Sequence, residues 1–235
     1  MTSLFRYDAE VAARYPSIVG GVLHVEGISN GPSSAALREA FAAEQAAVLE
    51  RLGDTPLSEV PSLNAWRRAF RAFGVDPTAY RSAGEALLRR LTKQGSIPSI
   101  NTLVDIGNLV AIRHALPVAV FDLASIEGGL TVRLATGDES FTDLGSGTTE
   151  SPDAGEVIFS DEAGHVAARR WCWRQSADSA AGADSKRVLV TVEGHHDEAR
   201  PDVAAAVTDL EALLREHAGA TSIDHGILDA THPAF

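Results

Sequence analysis

Cysteine is nearly absent from this chain of 235 residues. A single thiol, Cys172, allows neither an intrachain disulfide framework nor a cysteine-rich zinc site. No apolar run approaches the roughly 18 residues that a membrane span requires. The first twenty residues lack a basic segment followed by an apolar one, so no secretory signal is expected and a cytoplasmic location is. Positive charge is scarce: 20 Lys and Arg stand against 32 Asp and Glu, a formal net charge of −12. That balance argues against indiscriminate nucleic-acid coating and leaves no reason to expect a DNA or membrane partner. There is no G-x-S-x-G elbow, no P-loop and no G-x-G-x-x-G after a strand, and no cofactor is expected.

What charge there is lies unevenly. Between positions 64 and 93 stand Arg67, Arg68, Arg71, Arg81, Arg89, Arg90 and Lys93, opposed only by Asp76 and Glu85. The segment carries +5 and the remainder −17. A local basic surface on an acidic body suits one docked RNA, and these seven residues are the candidates to touch it. The plain alternative is that they form the solvated faces of two helices.

A strand is expected over 18–25, closed by Gly27 and the turn-rich Ser29-Asn30-Gly31-Pro32. Ser33 or Ser34 can cap a helix running to about Leu52. Trp66, Ala69, Phe70 and Phe73 recur at helical spacing and predict a helix over 63–73, stopped by Gly74. Leu87, Leu88 and Leu91 predict another over 82–93, and a fourth keeps Leu103, Ile106 and Val110 on its core side. From Pro117 the period changes, and 118–121, 131–135, 156–160, 166–174 and 187–193 read as strands. Asp202 can cap a last helix that Gly219 ends. Several helices followed by several strands argue for an α+β fold. Residues 1–60 read as an accessory segment, 61–217 as the main domain and 218–235 as a tail.

The stretch 103–122, LVDIGNLVAIRHALPVAVFD, is the most informative. It contains Val104-Asp105-x-x-Asn108-x-Val110, then Pro117, then Phe121-Asp122. Downstream follow Gly129-Leu130-Thr131-Val132-Arg133, Gly137-Asp138-Glu139 and Gly155-Glu156-Val157-Ile158-Phe159-Ser160-Asp161. This order and spacing, over roughly 65–193, resembles the B3/B4 domain, the editing and tRNA-binding module of the phenylalanyl-tRNA synthetase beta subunit. The resemblance implies an N-terminal helical portion packed on a mainly antiparallel sheet, with a pocket between them. It also implies the acceptor end of an aminoacylated tRNA as partner, and hydrolysis of the ester that joins amino acid to ribose. Such an ester is already activated. The pocket therefore needs no nucleophilic triad, only a held amino acid, a positioned water and dipoles where negative charge develops. Standalone members look like trans-editing factors, some directed at arginine analogues such as canavanine.

Asn108 falls on the family's pocket asparagine, and Asp105 lies one helical turn before it on the same face. These two are the catalytic candidates. Their structural alternatives are an interhelix hydrogen bond for Asn108, and capping or pairing with Arg113 or Arg133 for Asp105. Substrate contact is expected from Gly107, where the family commonly has threonine, and from Ala119, where it commonly has histidine. Trp171-Cys172-Trp173-Arg174-Gln175 stands near the family's Gly-Gly-Glu segment, so the pocket chemistry has changed. On a strand, Trp171 and Trp173 would face one way, able to stack on a base, with Arg174 opposite. The alternative is a core tryptophan pair. A guanidinium-like substrate would want carboxylates, and Asp122, Glu127, Glu139 and Asp161 are candidates, each otherwise a turn acid. In Glu193-Gly194-His195-His196-Asp197-Glu198 adjacent side chains would point to opposite faces, so a solvated turn is expected there rather than a metal site. The function expected is a standalone aminoacyl-tRNA deacylase; the alternatives are a non-catalytic tRNA-binding module and an amino-acid-binding protein.

Overall fold

A computed structural model of the protein describes residues 3–235. In chain order its elements are β1 (Phe5–Tyr7), α1 (Ala9–Arg14), β2 (Val19–Glu26), α2 (Ala35–Leu52), α3 (Pro61–Ala72), α4 (Ala83–Gln94), α5 (Thr102–His114), β3 (Val118–Asp122), β4 (Leu130–Leu134), β5 (Phe141–Thr142), β6 (Thr149–Glu150), β7 (Val157–Ser160), β8 (Val166–Arg169), β9 (Arg174–Gln175), β10 (Arg187–Gly194), α6 (Ala199–Ala218) and β11 (Ser222–Asp229). The fold is α+β and mainly antiparallel.

Local capping chemistry sets several helix ends. Ser34 accepts from the Leu37 N–H at the head of α2, and Ser82 accepts from Glu85 N–H at the head of α4. Gly95 closes α4 in the left-handed conformation. The last helix starts earlier than expected: α6 begins at Ala199, behind Glu198, and Asp202 lies in its first turn. Helix α5 is buried on nine of its 13 residues, which makes it a core element with no clean polar stripe.

Strands fall into two principal sheets where one was expected. One is antiparallel throughout, in the order β11-β2-β10-β3. The other runs β1-β4-β7-β8-β9, with β1 parallel to β4. Strand β10 shows how the layers are divided. Val188, Val190 and Val192 face a helical core with Leu37, Phe41, Ile106, Val110 and Leu210, whereas Leu189 faces a second core shared with the other sheet. Strand alternation puts Thr191 and Glu193 on the Leu189 face. The second core is aromatic, built on Phe5, Tyr7, Trp66, Phe70, Phe121, Phe159 and Trp171.

The first sixty residues supply β1, β2 and α2, and β2 is an interior strand between β11 and β10. The expected tail supplies β11, paired with β2 along its whole length. Both ends of the chain therefore belong to the same layers as the rest. The expected long strand over 166–174 is instead a hairpin, β8 and β9, around a turn at 170–173. Among the described residues no helix is long and apolar enough to cross a membrane.

Candidate active site

Beside β3, the last strand of the first sheet, lies a cavity of about 80 Å³ lined from both sheets. Ala119 and Phe121 of β3 and Thr191 and Glu193 of β10 form one wall. Phe159, Ala168 and the turn carrying Trp171, Cys172 and Trp173 form the other, with Arg174 and Gln175 of β9 at the rim. Gln175 ties that rim to the first sheet by donating to the carbonyls of Val120 (2.7 Å) and Ser179 (3.1 Å).

The turn is held in a conformation that its residues disfavour. Arg170 and Trp171 are successive non-glycine residues at positive φ, 44° and 61°, a geometry that costs about 1–3 kcal/mol per residue. Buried Glu156 compensates: it pairs through both oxygens with buried Arg169 (3.0 and 2.8 Å) and accepts the Arg170 N–H at 2.8 Å. Trp171 N–H donates to Val157 O at 2.6 Å, and Ala83 N–H at the head of α4 donates to Cys172 O at 2.8 Å. The two tryptophans accordingly part company, contrary to the strand expectation. Trp171 is fully buried among Tyr15, Trp66, Phe73 and His195. Trp173 meets Tyr80 edge to face, and the Arg170 and Arg174 guanidiniums lie over its ring, 4.6 and 4.8 Å from its centre.

Glu193 is the carboxylate of this cavity, and it was not among the residues that the sequence singled out as acids of the site. It is 2% exposed. Its Oε1 accepts from the Tyr7 hydroxyl (2.7 Å) and from Trp171 Nε1 (3.1 Å). Gly20, its register partner on β2, leaves the space that Tyr7 fills: a Cβ there would fall 2.1 Å from the Tyr7 hydroxyl. Burial pushes Glu193 up to about 7, against the pull of its two donors. Burial and the neighbouring Glu193 charge together push the Tyr7 hydroxyl and the Cys172 thiol upward. Burial, then His196 and Arg68, lower His195 to about 3.

The other expected site residues disperse. Ala119, Trp171, Trp173, Arg174 and Gln175 meet at the cavity. Gly107 packs across the helical face of β3, where a Cβ would sit 3.5 Å from Val118 and 3.6 Å from Val120. Asn108 is half-buried on the same helix, and it lines no part of the cavity. Asp105 is fully buried elsewhere. It accepts from the Ser33 hydroxyl (2.6 Å), the Ser99 hydroxyl and the Ile100 N–H (2.8 Å), and so fixes the loop before α5. Its geometry is that of a structural carboxylate, not of a group facing substrate.

None of the four expected acids lines the cavity. Asp122 accepts from Ala124 N–H and the Ser185 hydroxyl, and Glu127 is exposed. Asp161 collects three backbone N–H groups from its own turn and from Glu127. Glu139, despite burial, is held down at about 2 by the Thr136 N–H, Arg133 and the Gly137 N–H. His195 and His196 are buried rather than in a solvated turn, with His196 bound to Asp202 at 2.8 Å. Among the described residues no cluster of three or more His, Cys, Asp or Glu is placed to hold a metal ion.

The seven basic residues also divide. Arg67 is bound by both nitrogens to buried Glu85 (3.0 and 2.6 Å). Arg68 and Arg71 are exposed on α3. Arg81, Arg89, Arg90 and Lys93 gather along an open groove of about 400 Å³, where Trp173 and Arg174 join them. Arg174 is paired with Asp143. Trp173 and Arg174 thus belong to both the groove and the cavity.

Comparison with known proteins places these features in a family. The B3/4 domain matches residues 65–206, which takes in every residue named above as lining the cavity or the groove. Similar curated proteins are phenylalanine–tRNA ligase beta subunits. That of Nocardia farcinica is 35% identical over 112 residues, 47% of this chain and 13% of the relative. That of Vibrio cholerae is 42% identical over 66 residues, 28% of this chain and 8% of the relative. The chain spans about a tenth of the length of the curated relatives it matches. An N-terminal fragment of the phenylalanyl-tRNA synthetase beta subunit from Pyrococcus horikoshii aligns with 93% of this chain and 49% of its own, at 14% identity and a TM-score of 0.46.

Proposed function

The chain belongs to the B3/4 domain family, and from that premise we propose that it is an aminoacyl-tRNA deacylase acting in trans in the cytoplasm. The cavity takes the amino-acid part of a charged tRNA, the rim at Trp173 and Arg174 takes the terminal ribose, and the basic groove takes the phosphates behind it. The observation that carries this reading is the continuity of two unlike sites. A small, mostly apolar cavity with one buried carboxylate opens beside a groove with five cations, on a chain whose net charge is −12. An ester whose acyl half is small and whose alcohol half is a polyanion fits both at once.

The chemistry asked of the protein is modest. A water oxygen bonds to the ester carbonyl carbon, the bond to the ribose oxygen breaks, and the water's proton leaves on that oxygen. Holding the acyl group against Phe121, Phe159 and Trp171 fixes the carbonyl at the rim and excludes bulk water from one side of it. The Thr191 hydroxyl and Glu193 are the polar groups within the cavity that can hold substrate or water. Asn108 and Asp105 are given no part in the step.

The test is deacylation by the purified chain of a panel of tRNAs, correctly charged, mischarged, and charged with canavanine. Release from one mischarged species, with correctly charged tRNA spared, is expected. If no species is released faster than its spontaneous rate, the deacylase reading fails.

A further inference from the structure

Glu193 offers only half of its carboxylate to the protein. Both of its donors, Tyr7 and Trp171, converge on Oε1, and among the described residues nothing donates to Oε2. The side chain is 2% exposed and lines the cavity. A buried carboxylate is normally matched by a cation, yet among the described residues no basic side chain pairs with this one. The titratable groups packed around it supply no charge either: Tyr7 and Cys172 are pushed up, and His195 is held down at about 3, so all three are neutral at pH 7.

We propose that Glu193 Oε2 is the recognition point for a primary ammonium group carried by the amino acid that enters the cavity. The inference deepens the deacylase reading and rests on it only in taking an amino acid as the occupant. The geometry selects ammonium over guanidinium. A guanidinium pairs best in a fork with both carboxylate oxygens, and here Oε1 is already engaged twice, whereas a compact ammonium needs one oxygen. Two sources carry the same chemistry: the α-ammonium of the amino acid, or an amine on its side chain. Tyr7, which shares Oε1 with Trp171, and Gly20, which makes room for Tyr7, lie outside residues 65–206, so the first segment of the chain contributes to this selectivity.

Calorimetric titration of the chain with small probes, and no tRNA, tests this. L-alaninamide carries only the α-ammonium, N-acetyl-L-lysinamide only a side-chain ammonium, N-acetyl-L-argininamide only a guanidinium, and N-acetyl-L-alaninamide no charge. One ammonium probe is expected to bind saturably, and which one names the source; binding of both supports the inference equally. Glu193→Gln should weaken that binding at least about tenfold, the scale of one charge-assisted hydrogen bond. The cation favours ionised Glu193, whose ordinary state in the empty cavity titrates at about 7. Binding at pH 7 should therefore release protons and weaken as the pH falls.

Carboxyl NMR of the unmutated chain gives the same answer if Glu193→Gln fails to fold: the ammonium probe should lower the Glu193 titration midpoint. The inference is overturned if neither ammonium probe binds, if the guanidinium or uncharged probe binds as well, if Glu193→Gln binds equally, or if the midpoint stays put. A chain that binds an ammonium probe but releases no amino acid from any tRNA keeps the inference and loses the deacylase reading. A chain that deacylates but ignores these probes does the reverse.

Discussion

Glu193 and His195 stand two residues apart and pull the pH dependence of stability in opposite directions. Glu193 is raised from 4.5 to about 7 on folding. Its contribution is fully present below pH 4.5 and is lost as the pH rises to 7, a change on the order of 3 kcal/mol. His195 is lowered from 6.5 to about 3. Its contribution is present above pH 6.5 and is lost as the pH falls toward 3, on the order of 5 kcal/mol. Between pH 4.5 and 6.5 the two effects offset each other, which hides Glu193 in the native chain. Its share appears in the difference from Glu193→Gln. Urea unfolding from pH 4.5 to 8 should show the variant gaining about 3 kcal/mol on the native chain as the pH rises. A difference that stays constant with pH would mean that Glu193 is ionised throughout. This residue was hidden in the sequence for a physical reason. In a run of Glu, Gly, two His, Asp and Glu it looks solvated. Only the pairing of β10 with β2, and the approach of Tyr7 from the first strand, make it a cavity wall. Asp105 stands the other way round: its place in the motif made it look catalytic, and its three hydrogen bonds tie the segment before α2 to the loop before α5.

At the scale of the element, short-range interactions were legible. The cap at Ser34, one of the two serines the sequence offered, is an interaction over three residues, and the helix expected over 82–93 is α4, capped by Ser82 and closed by Gly95. Elements made by distant pairing were not legible. β1 has three residues and pairs with β4 some 125 positions away, and β11 has a mixed polar pattern that gains meaning only beside β2. The 170–173 turn was hidden because Arg and Trp take left-handed conformations there that sequence patterns assign to glycine. That turn depends on one buried ion pair. Glu156→Ala leaves Arg169, 4% exposed, with only the half-exposed Glu150 for a partner. Chemical denaturation should show a loss of about 3–5 kcal/mol. Glu150→Ala, which removes the exposed partner, should cost under about 1 kcal/mol. Equal effects would show that the strained turn is held by its backbone hydrogen bonds alone.

At the scale of the whole molecule, the proposed tRNA partner would have to dock on an acidic protein. Its charge is −12, and five of its cations line one groove, two of them already in ion pairs: Arg174 with Asp143 and Arg81 with Glu85. The sequence showed the basic segment but not its division. Arg67 is taken up by Glu85 in the fold, whereas Arg174 arrives from a hairpin far along the chain. Division by geometry makes the groove separable by mutation. Arg89→Glu, Arg90→Glu and Lys93→Glu together reverse three of its five cations on one exposed helix face, away from the cavity wall. Binding of a substrate tRNA should weaken at least about tenfold at low salt. The slope of log affinity against log salt should flatten by about 2, since each single-strand phosphate no longer neutralised removes some 0.7. Turnover at saturating tRNA should stay within about threefold, since uniform binding has been removed and not the chemistry. Arg68→Glu with Arg71→Glu reverses two exposed cations outside the groove and controls for bulk charge; it should change affinity less than about threefold. If the two variants weaken binding alike, net charge alone governs the encounter and the groove has no special place in it. If the triple variant binds as the native chain does, its residues are a solvated face and the phosphates run elsewhere.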